Sequence, residues 1–298
     1  MTATLPRAVS TPLRTPARRS GRPMAIVPTI VLALGALYCF LPLIWLFTAS
    51  TKTPGELFTT FSFTPSFNGG FTGNLRDLAE FRGGVYGRWV LNSLLYAGGG
   101  ALLSTAVSGM AGYALAKYRF AGRQFVFVLL LLGALVPGVM LAVPQYLLLS
   151  AVGLAGTSWS VLLPGIISPL GMYLCRVYAA ASVPDEILEA ARVDGAGELR
   201  AFGVIAVPTM VPGLITVFLL QFVGIWNNFL LPFIMLADDQ RFPLTVGLYS
   251  MMNMGLEHET IYTMVIIGAF LAVIPLIALF LLLQRFWRLD LATGALKG

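Results

Sequence analysis

The chain has 298 residues, of which 57% are hydrophobic and only 11% are charged, and its mean hydropathy is +0.83. This composition excludes an ordinary soluble globular protein and is typical of membrane proteins. The net charge is +6, but the basic residues cluster at the ends of apolar segments, so nucleic-acid binding is not expected. Two cysteines in apolar runs and a single histidine argue against zinc sites and against thiol- or histidine-based catalysis.

Residues 1–23 are rich in Pro, Thr, Ser, Ala and Arg and have no apolar periodicity. They are predicted to form a disordered basic tail. The apolar run 24–50 that follows could instead belong to a cleaved signal peptide. It is longer than the hydrophobic region of such a peptide and lacks a clear cleavage site between small residues, so a first membrane span is favoured.

Residues 24–298 are predicted to form one transmembrane domain, because a membrane-crossing helix needs ~20 apolar residues and six such segments fit. The predicted spans cover 24–50, 89–116, 125–151, 159–178, 204–236 and 260–283. The fold class is therefore an all-α polytopic membrane protein. No internal repeat and no second domain are evident.

Small residues recur at every fourth position of span two, a pattern that lets helix backbones approach closely in lipid: Gly100, Ser104, Ser108 and Gly112. Prolines interrupt spans three and four. Prolines at membrane depth are tolerated where neighbouring groups or water satisfy the freed carbonyls. They therefore predict helices broken around a cavity, at Pro137, Pro144, Pro164 and Pro169.

The distribution of Lys and Arg predicts the orientation. With the N-terminus inside, fourteen of the 19 basic residues lie on the inner side and five on the outer side. The positive-inside rule then favours a cytoplasmic N-terminus and a cytoplasmic C-terminus. The same orientation places residues 182–203 in the cytoplasm.

Residues 182–203 form a charged segment between two apolar runs. Ser182-Val183-Pro184-Asp185 predicts a helix start in which Ser182 is the N-cap and Asp185 completes the capping box, and Asp194-Gly195 predicts the end of that helix. Ala190-Ala191 leaves a stretch of backbone that another protein could approach closely. The segment is predicted to be a docking element of two short helices joined by a turn.

The same residues resemble the EAA loop of ATP-binding-cassette importer permeases, in particular the maltose-type second permease subunit of the carbohydrate branch. The matching residues in the loop are Glu189-Ala190-Ala191, Asp194-Gly195-Ala196, Phe202, Ile205, Pro208 and Pro212. Outside it, similar motifs are Trp226-Asn227-Asn228-Phe229, Leu244-Thr245-Val246-Gly247-Leu248, and a C-terminal signature from Gln284 to Gly298. The chain departs from the family pattern at Asn228, where Asp is usual, and at Asp290, where Gly is usual.

The resemblance implies a MetI-like fold in a bacterial or archaeal plasma membrane. It also implies partners: a homologous second permease, two ATPase subunits and an extracytoplasmic binding protein that delivers a carbohydrate. By this resemblance the segment 182–203 is a coupling loop whose contacts to an ATPase are made by Glu189, Ala190, Ala191, Asp194, Gly195 and Ala196. The chain itself would be non-catalytic and hold no cofactor. It has no G-x-x-x-x-G-K-[ST] motif, so ATP and Mg²⁺ would bind the partner ATPase.

Gln221, Gly224 and Asn228 recur at helical spacing in span five and are candidate substrate-pathway residues. Their two amides could hydrogen-bond sugar hydroxyls in a wet cavity. Alternatively, they could form interhelical hydrogen bonds that hold the spans together. Both readings remain open from the sequence, as does the identity of the solute, which could be a carbohydrate, a polyol or a glycerol phosphate.

Two other classes of function are weighed against an importer permease. An ion-coupled secondary transporter usually needs ionisable groups within its spans, and the span interiors here have none. Sodium coupling through backbone carbonyls would not need them. A membrane enzyme would need a polar catalytic cluster, whereas the acidic residues concentrate in the coupling loop.

The orientation can be tested with topology reporters. A reporter fused after Ala190 should report a cytoplasmic location, and one fused after Gln240 should report the outer side. Alkaline phosphatase and green fluorescent protein fusions give opposite signals for the two locations and serve as controls for each other. Reversal at both positions would contradict the predicted orientation and remove the coupling loop from the cytoplasm.

Overall fold

A computed structural model describes residues 26–254 and 259–294, with side chains up to Phe286. The predicted tail 1–23 and residues 295–298 of the C-terminal signature lie outside the described residues. Every regular element in the described part is a helix, which confirms the all-α prediction. The α-helices are α1 (Ile26–Ser50), α2 (Pro54–Thr59), α3 (Gly70–Glu80), α4 (Val85–Leu94), α5 (Gly100–Lys117), α6 (Arg123–Leu135), α7 (Gly138–Ala151), α8 (Ser158–Ile166), α9 (Pro169–Ser182), α10 (Asp185–Val193), α11 (Glu198–Ala201), α12 (Val207–Trp226), α13 (Leu230–Met235), α14 (Leu244–Met254) and α15 (Glu259–Gly294).

Five continuous helical segments are long and apolar enough to cross a membrane: Ile26–Ser50, Val85–Lys117, Ser158–Ser182, Glu198–Trp226 and Glu259–Phe286. The helices α6 and α7 together form a sixth candidate that is bent by 103°. The bend lies at Val136-Pro137, because proline disfavours helical backbone in the residue before it. The residues that the structure describes thus contain five or six candidate spans, depending on whether the bent pair is counted as one span.

The chain divides into two units, residues 1–44 and residues 45–298. In the first unit, the described residues 26–44 belong to the apolar helix α1, and all of them are exposed. Such a surface suits contact with lipid. The second unit holds all the other helices and all three buried clusters of apolar side chains.

Helices α5 and α9 pack so closely that no side-chain atom fits between them at two glycine positions. A Cβ atom added to Gly112 would lie 2.5 Å from Cys175 Cβ, and one added to Gly171 would lie 2.7 Å from Ser108 Oγ. Neither gap accommodates another atom, so glycine is required at both positions. The predicted packing role of the small residues in span two is confirmed, since all four are buried and Gly100, Ser108 and Gly112 each face a residue of another helix.

The predicted helix start at Ser182 is wrong. Ser182 ends α9, and its hydroxyl donates to the Tyr178 carbonyl at 2.7 Å. Pro184 forces extended backbone on Val183, which separates α9 from the next helix. Pro184 itself then occupies the N-cap of α10, which has no side-chain cap.

Candidate functional site: a coupling loop, a polar cavity and a strap

The helix of the predicted coupling loop ends in a Schellman motif. The Gly195 amide donates to the Arg192 carbonyl at 3.0 Å, and the Ala196 amide donates to the Ala191 carbonyl at 2.9 Å. Gly195 has φ +78°, a conformation that costs glycine nothing and strains residues with a Cβ atom. The prediction that Asp194-Gly195 ends this helix is confirmed.

The coupling loop exposes apolar side chains next to its charges. Leu188 is buried and anchors α10 against the rest of the molecule. By contrast, Val193 is 88% exposed and Leu199 is 86% exposed, and Glu189 and Ala190 also face outward. An exposed apolar pair on a polar loop is typical of a surface that another protein covers.

Three contacts tie the coupling loop together and to the end of α5. Lys117 Nζ lies 2.7 Å from Asp185 Oδ1, and the Tyr118 hydroxyl donates to Glu198 Oε2 at 2.9 Å. Arg192 Nε donates to Glu198 Oε1 at 2.9 Å. The Lys117 ammonium lowers the pKa of Asp185, so this carboxylate is charged at neutral pH.

Two adjoining cavities lie between α7, α8 and the end of α12. Their volumes are about 380 Å³ and 680 Å³, and both are lined by Leu141, Gln145, Pro164 and Gly165. No residue that lines them is charged. Pro164 and Pro169 line the cavities, and the break at Pro137 lies between the lining residues Val136 and Gly138. The prediction of helix breaks is confirmed at Pro137 and Pro169 and is wrong at Pro144 and Pro164, which lie inside α7 and α8.

The three candidate substrate-pathway residues are placed differently from one another. Gln221 lines the larger cavity and donates to Ser168 Oγ at 2.5 Å. Asn228 lines the smaller cavity, but it follows the end of α12 at Trp226, so the expectation of one helical face is wrong at this residue. Its Oδ1 accepts from the Leu231 amide at 3.4 Å at the start of α13. Gly224 is exposed and lines neither cavity.

Gln145 is a cavity residue that the sequence analysis missed. It lines both cavities, and its amide makes no hydrogen bond to the described part of the chain. A signal was present, since Gln145 is the only amide in the apolar run 125–151 and directly follows Pro144. The buried hydroxyl of Ser168, which holds Gln221, was missed as well and had no comparable signal.

Residues 238–243, which we call the strap, lie across one end of the 85–117 segment. Four consecutive carbonyls of the strap accept hydrogen bonds from one face of that segment. The pairs are Trp89 Nε1 to Asp239 (2.9 Å), Asn92 Nδ2 to Gln240 (2.9 Å) and Phe242 (3.0 Å), and the Tyr96 hydroxyl to Arg241 (2.9 Å). The donors at positions 89, 92 and 96 share a helical face. The acceptors are backbone carbonyls, which every residue possesses, so the sequence of the strap does not indicate these hydrogen bonds.

The strap connects this face to the cavity. Directly after it, the Leu244 amide donates to the buried Ser93 Oγ at 2.7 Å. The Thr245 hydroxyl then donates to the Asn228 carbonyl at 2.9 Å. Asn228 is therefore held in place by α14, and the start of α14 is held by α4.

The helical fold, the uncharged cavities and the charged loop are the features of a transmembrane permease subunit. The family of binding-protein-dependent transport system inner membrane components matches residues 108–288, which is more than half of the chain. The chain belongs to this family. It is a non-catalytic membrane subunit of an ATP-binding-cassette importer, and it works with an ATPase and a binding protein. Family membership removes the alternatives of a secondary transporter and a membrane enzyme.

Two relatives illustrate the similarity. The arabinooligosaccharides transport system permease protein AraQ of Bacillus subtilis is 36% identical over 219 residues, which are 73% of this chain and 76% of AraQ. The lactose transport system permease protein LacG of Rhizobium radiobacter is 31% identical over 264 residues, which are 87% of this chain and 92% of LacG.

The fold is also similar to a chain of a bacterial ABC transporter involved in the import of the acidic polysaccharide alginate. The TM-score is 0.78 at 23% sequence identity, over 92% of this chain and 99% of that chain. The similarity shows that both chains share the permease fold.

Ser93 and Ser104 provide a matched test of the attachment of the strap. Ser93→Ala leaves the buried Leu244 amide without a partner and should destabilise the protein by about 1–3 kcal/mol. Ser104 is equally buried in the same segment, but its hydroxyl makes no hydrogen bond to the residues that the structure describes, so Ser104→Ala should be close to neutral. The measurement is the thermal midpoint of each purified variant in detergent. Equal midpoints for the two variants would show that Ser93 does not hold α14.

Proposed function

We propose that this permease subunit imports a neutral carbohydrate and that its coupling loop receives the movement of the ATPase. The observation that carries the substrate class is the uncharged lining of the two cavities, with three amide side chains at Gln145, Gln221 and Asn228. Amides can both donate to and accept from sugar hydroxyls. A charged solute such as a glycerol phosphate would need a cation, and the cavity lining has none.

The names of the relatives support the same class. AraQ is named for arabinooligosaccharides and LacG for lactose, both built of sugars with many hydroxyls. The melibiose/raffinose/stachyose import permease protein MelC of Bacillus subtilis is 28% identical over 273 residues. We infer an oligosaccharide as the solute of this chain.

We further propose that Glu189, Ala190, Ala191, Asp194, Gly195 and Ala196 form the contact with the ATPase. Support comes from the exposure of α10 on the side opposite Leu188 and from the exposed apolar side chains of Val193 and Leu199. The complete importer would contain a homologous second permease, two ATPase subunits that bind ATP and Mg²⁺, and an extracytoplasmic binding protein. In this assembly the N-terminus and the coupling loop face the cytoplasm.

Gln145→Leu tests the substrate class. The change keeps the approximate volume and breaks no hydrogen bond, so the thermal midpoint should not change. The KM for oligosaccharide uptake should rise about tenfold, which corresponds to the loss of one hydrogen bond of about 1.4 kcal/mol. Uptake of labelled arabino-oligosaccharides, lactose and raffinose into proteoliposomes that hold the complete importer measures the effect.

Gln124→Leu is the matched control, because Gln124 lies at the exposed start of α6 and lines neither cavity. Asn228→Leu should lower uptake as well, but it also removes the contact to the Leu231 amide and should lower the thermal midpoint. If Gln145→Leu transports every sugar of the panel with normal kinetics, the amides of the cavity do not bind the solute.

Gly195→Val tests the coupling loop. Valine at φ +78° is strained, so the Schellman motif should open and uptake should be lost, with less ATPase co-purified or with no stimulation by the loaded binding protein. Gly197→Val is the control, because Gly197 has φ −69° and nothing within 4 Å of an added Cβ atom.

Glu189→Lys should weaken ATPase attachment in a salt-dependent way. Normal attachment and uptake in Gly195→Val and Glu189→Lys would contradict the proposed docking role.

A further inference from the structure

We propose that Lys117 and Tyr118, at the end of α5, are positioning residues that transmit movement of the coupling loop to the helices of the pathway. The inference rests on the proposed function, in which the coupling loop docks on the ATPase. It is drawn from two consecutive residues, of which Lys117 contacts the first helix of that loop, α10, and Tyr118 contacts the second, α11. Neither residue belongs to the predicted docking surface.

The two contacts lie at the first residue of each loop helix. Lys117 pairs with Asp185, which begins α10, and Tyr118 donates to Glu198, which begins α11. Arg192, in the last turn of α10, also binds Glu198 and closes the arrangement. A displacement of either loop helix therefore acts on the end of α5 through a direct polar contact.

The ion pair is asymmetric in its burial. The Lys117 side chain is 7% exposed, whereas the Asp185 side chain is 73% exposed. A fully exposed pair contributes little, because water and salt screen it. Here the ammonium is fixed within the protein, and loss of Asp185 leaves it buried without its carboxylate. The end of α5 thus carries a positive charge, on Lys117, that binds the first residue of α10 in the coupling loop.

The Tyr118 ring extends the linkage to a second helix. It packs edge-on against Tyr113 of α5 with ring centroids 5.5 Å apart, and Tyr113 contacts Phe202 at 5.1 Å. Phe202 begins the helical turn that leads from α11 into α12. Helix α5 packs on α8 and on α12, and these two helices contribute Pro164, Gly165 and Gln221 to the lining of the larger cavity. The linkage thus joins the coupling loop to the helices that surround the proposed pathway.

Tyr118→Phe separates this role from a contribution to stability. The change removes the hydroxyl that binds Glu198 and keeps the ring against Tyr113. Attachment of the ATPase and its basal rate should be normal, whereas uptake per ATP hydrolysed should fall about fivefold, the change expected from one lost hydrogen bond. The measurement is sugar uptake and phosphate release by the complete importer in the same proteoliposomes, with the loaded binding protein present.

Tyr173→Phe is the matched control. It is the same substitution on α9, away from the coupling loop contacts; the Tyr173 ring stacks on Phe127, and its hydroxyl makes no hydrogen bond within the described part of the chain. Its uptake per ATP should equal that of the unmodified protein. In the Glu198→Ala background, Tyr118→Phe should cause no additional loss, because its partner is already absent.

A charge exchange tests the ion pair. Lys117→Glu and Asp185→Lys should each reduce uptake per ATP, and the double variant should restore most of it, because the pair is re-formed in reverse. If each substitution lowered uptake per ATP only by disturbing its own surroundings, the double variant would not recover it. Equal losses in the double variant and the single variants would overturn the role of this pair.

The result for Gly195→Val distinguishes the two proposals. If Gly195→Val has normal attachment and uptake, the docking role fails, and the transmission role fails with it. If Gly195→Val loses uptake while Tyr118→Phe and Lys117→Glu keep the full uptake per ATP, only the transmission role is overturned. A loss of ATPase attachment in Tyr118→Phe would also overturn it, because Tyr118 would then act in docking.

Discussion

The backbone contact between α5 and α9 is the interaction on which the rest of the structure depends. Gly112 and Gly171 bring the two helices so close that a single added carbon atom would overlap with the neighbour. In lipid, apolar side chains gain little from leaving the solvent, so close van der Waals packing has to hold helices together. Ser104 and Ser108, on the same face of α5, are also small and buried, so they allow the neighbouring helices to approach closely.

This contact involves one continuous helical segment, residues 85–117, which also packs on α8 and α12. One end of the segment carries the side chains that hold the strap, and through the strap and α14 they position Asn228. The other end holds both helices of the coupling loop. A rigid segment between two functional regions is what an importer subunit needs if hydrolysis at one membrane face is to change access at the other.

The cavities lie where prolines interrupt the helices. A continuous helix satisfies its own backbone groups, whereas an interruption frees backbone groups that must be satisfied by protein or by water in a cavity. Pro137 separates α6 from α7, and Pro169 follows the break between α8 and α9. The interruptions leave room for Gln145, Gln221 and Ser168 at a depth where unpaired amides would otherwise cost free energy.

The sequence by itself determined the all-α membrane fold, the positions of the apolar segments, the close packing of span two and the glycine turn at Gly195, because each follows from local composition or spacing. The tertiary structure alone decided that α12 ends before Asn228, that Ser182 belongs to α9, and that Gln145 shares a cavity with Gln221. It also decided the contacts of Tyr118 with Glu198 and of Asn92 with the strap. These join residues that lie 80 and about 150 positions apart, and several of the partners are backbone carbonyls that every residue possesses. Periodicity and motifs carry no information on such pairs, because the partners meet only when the helices pack.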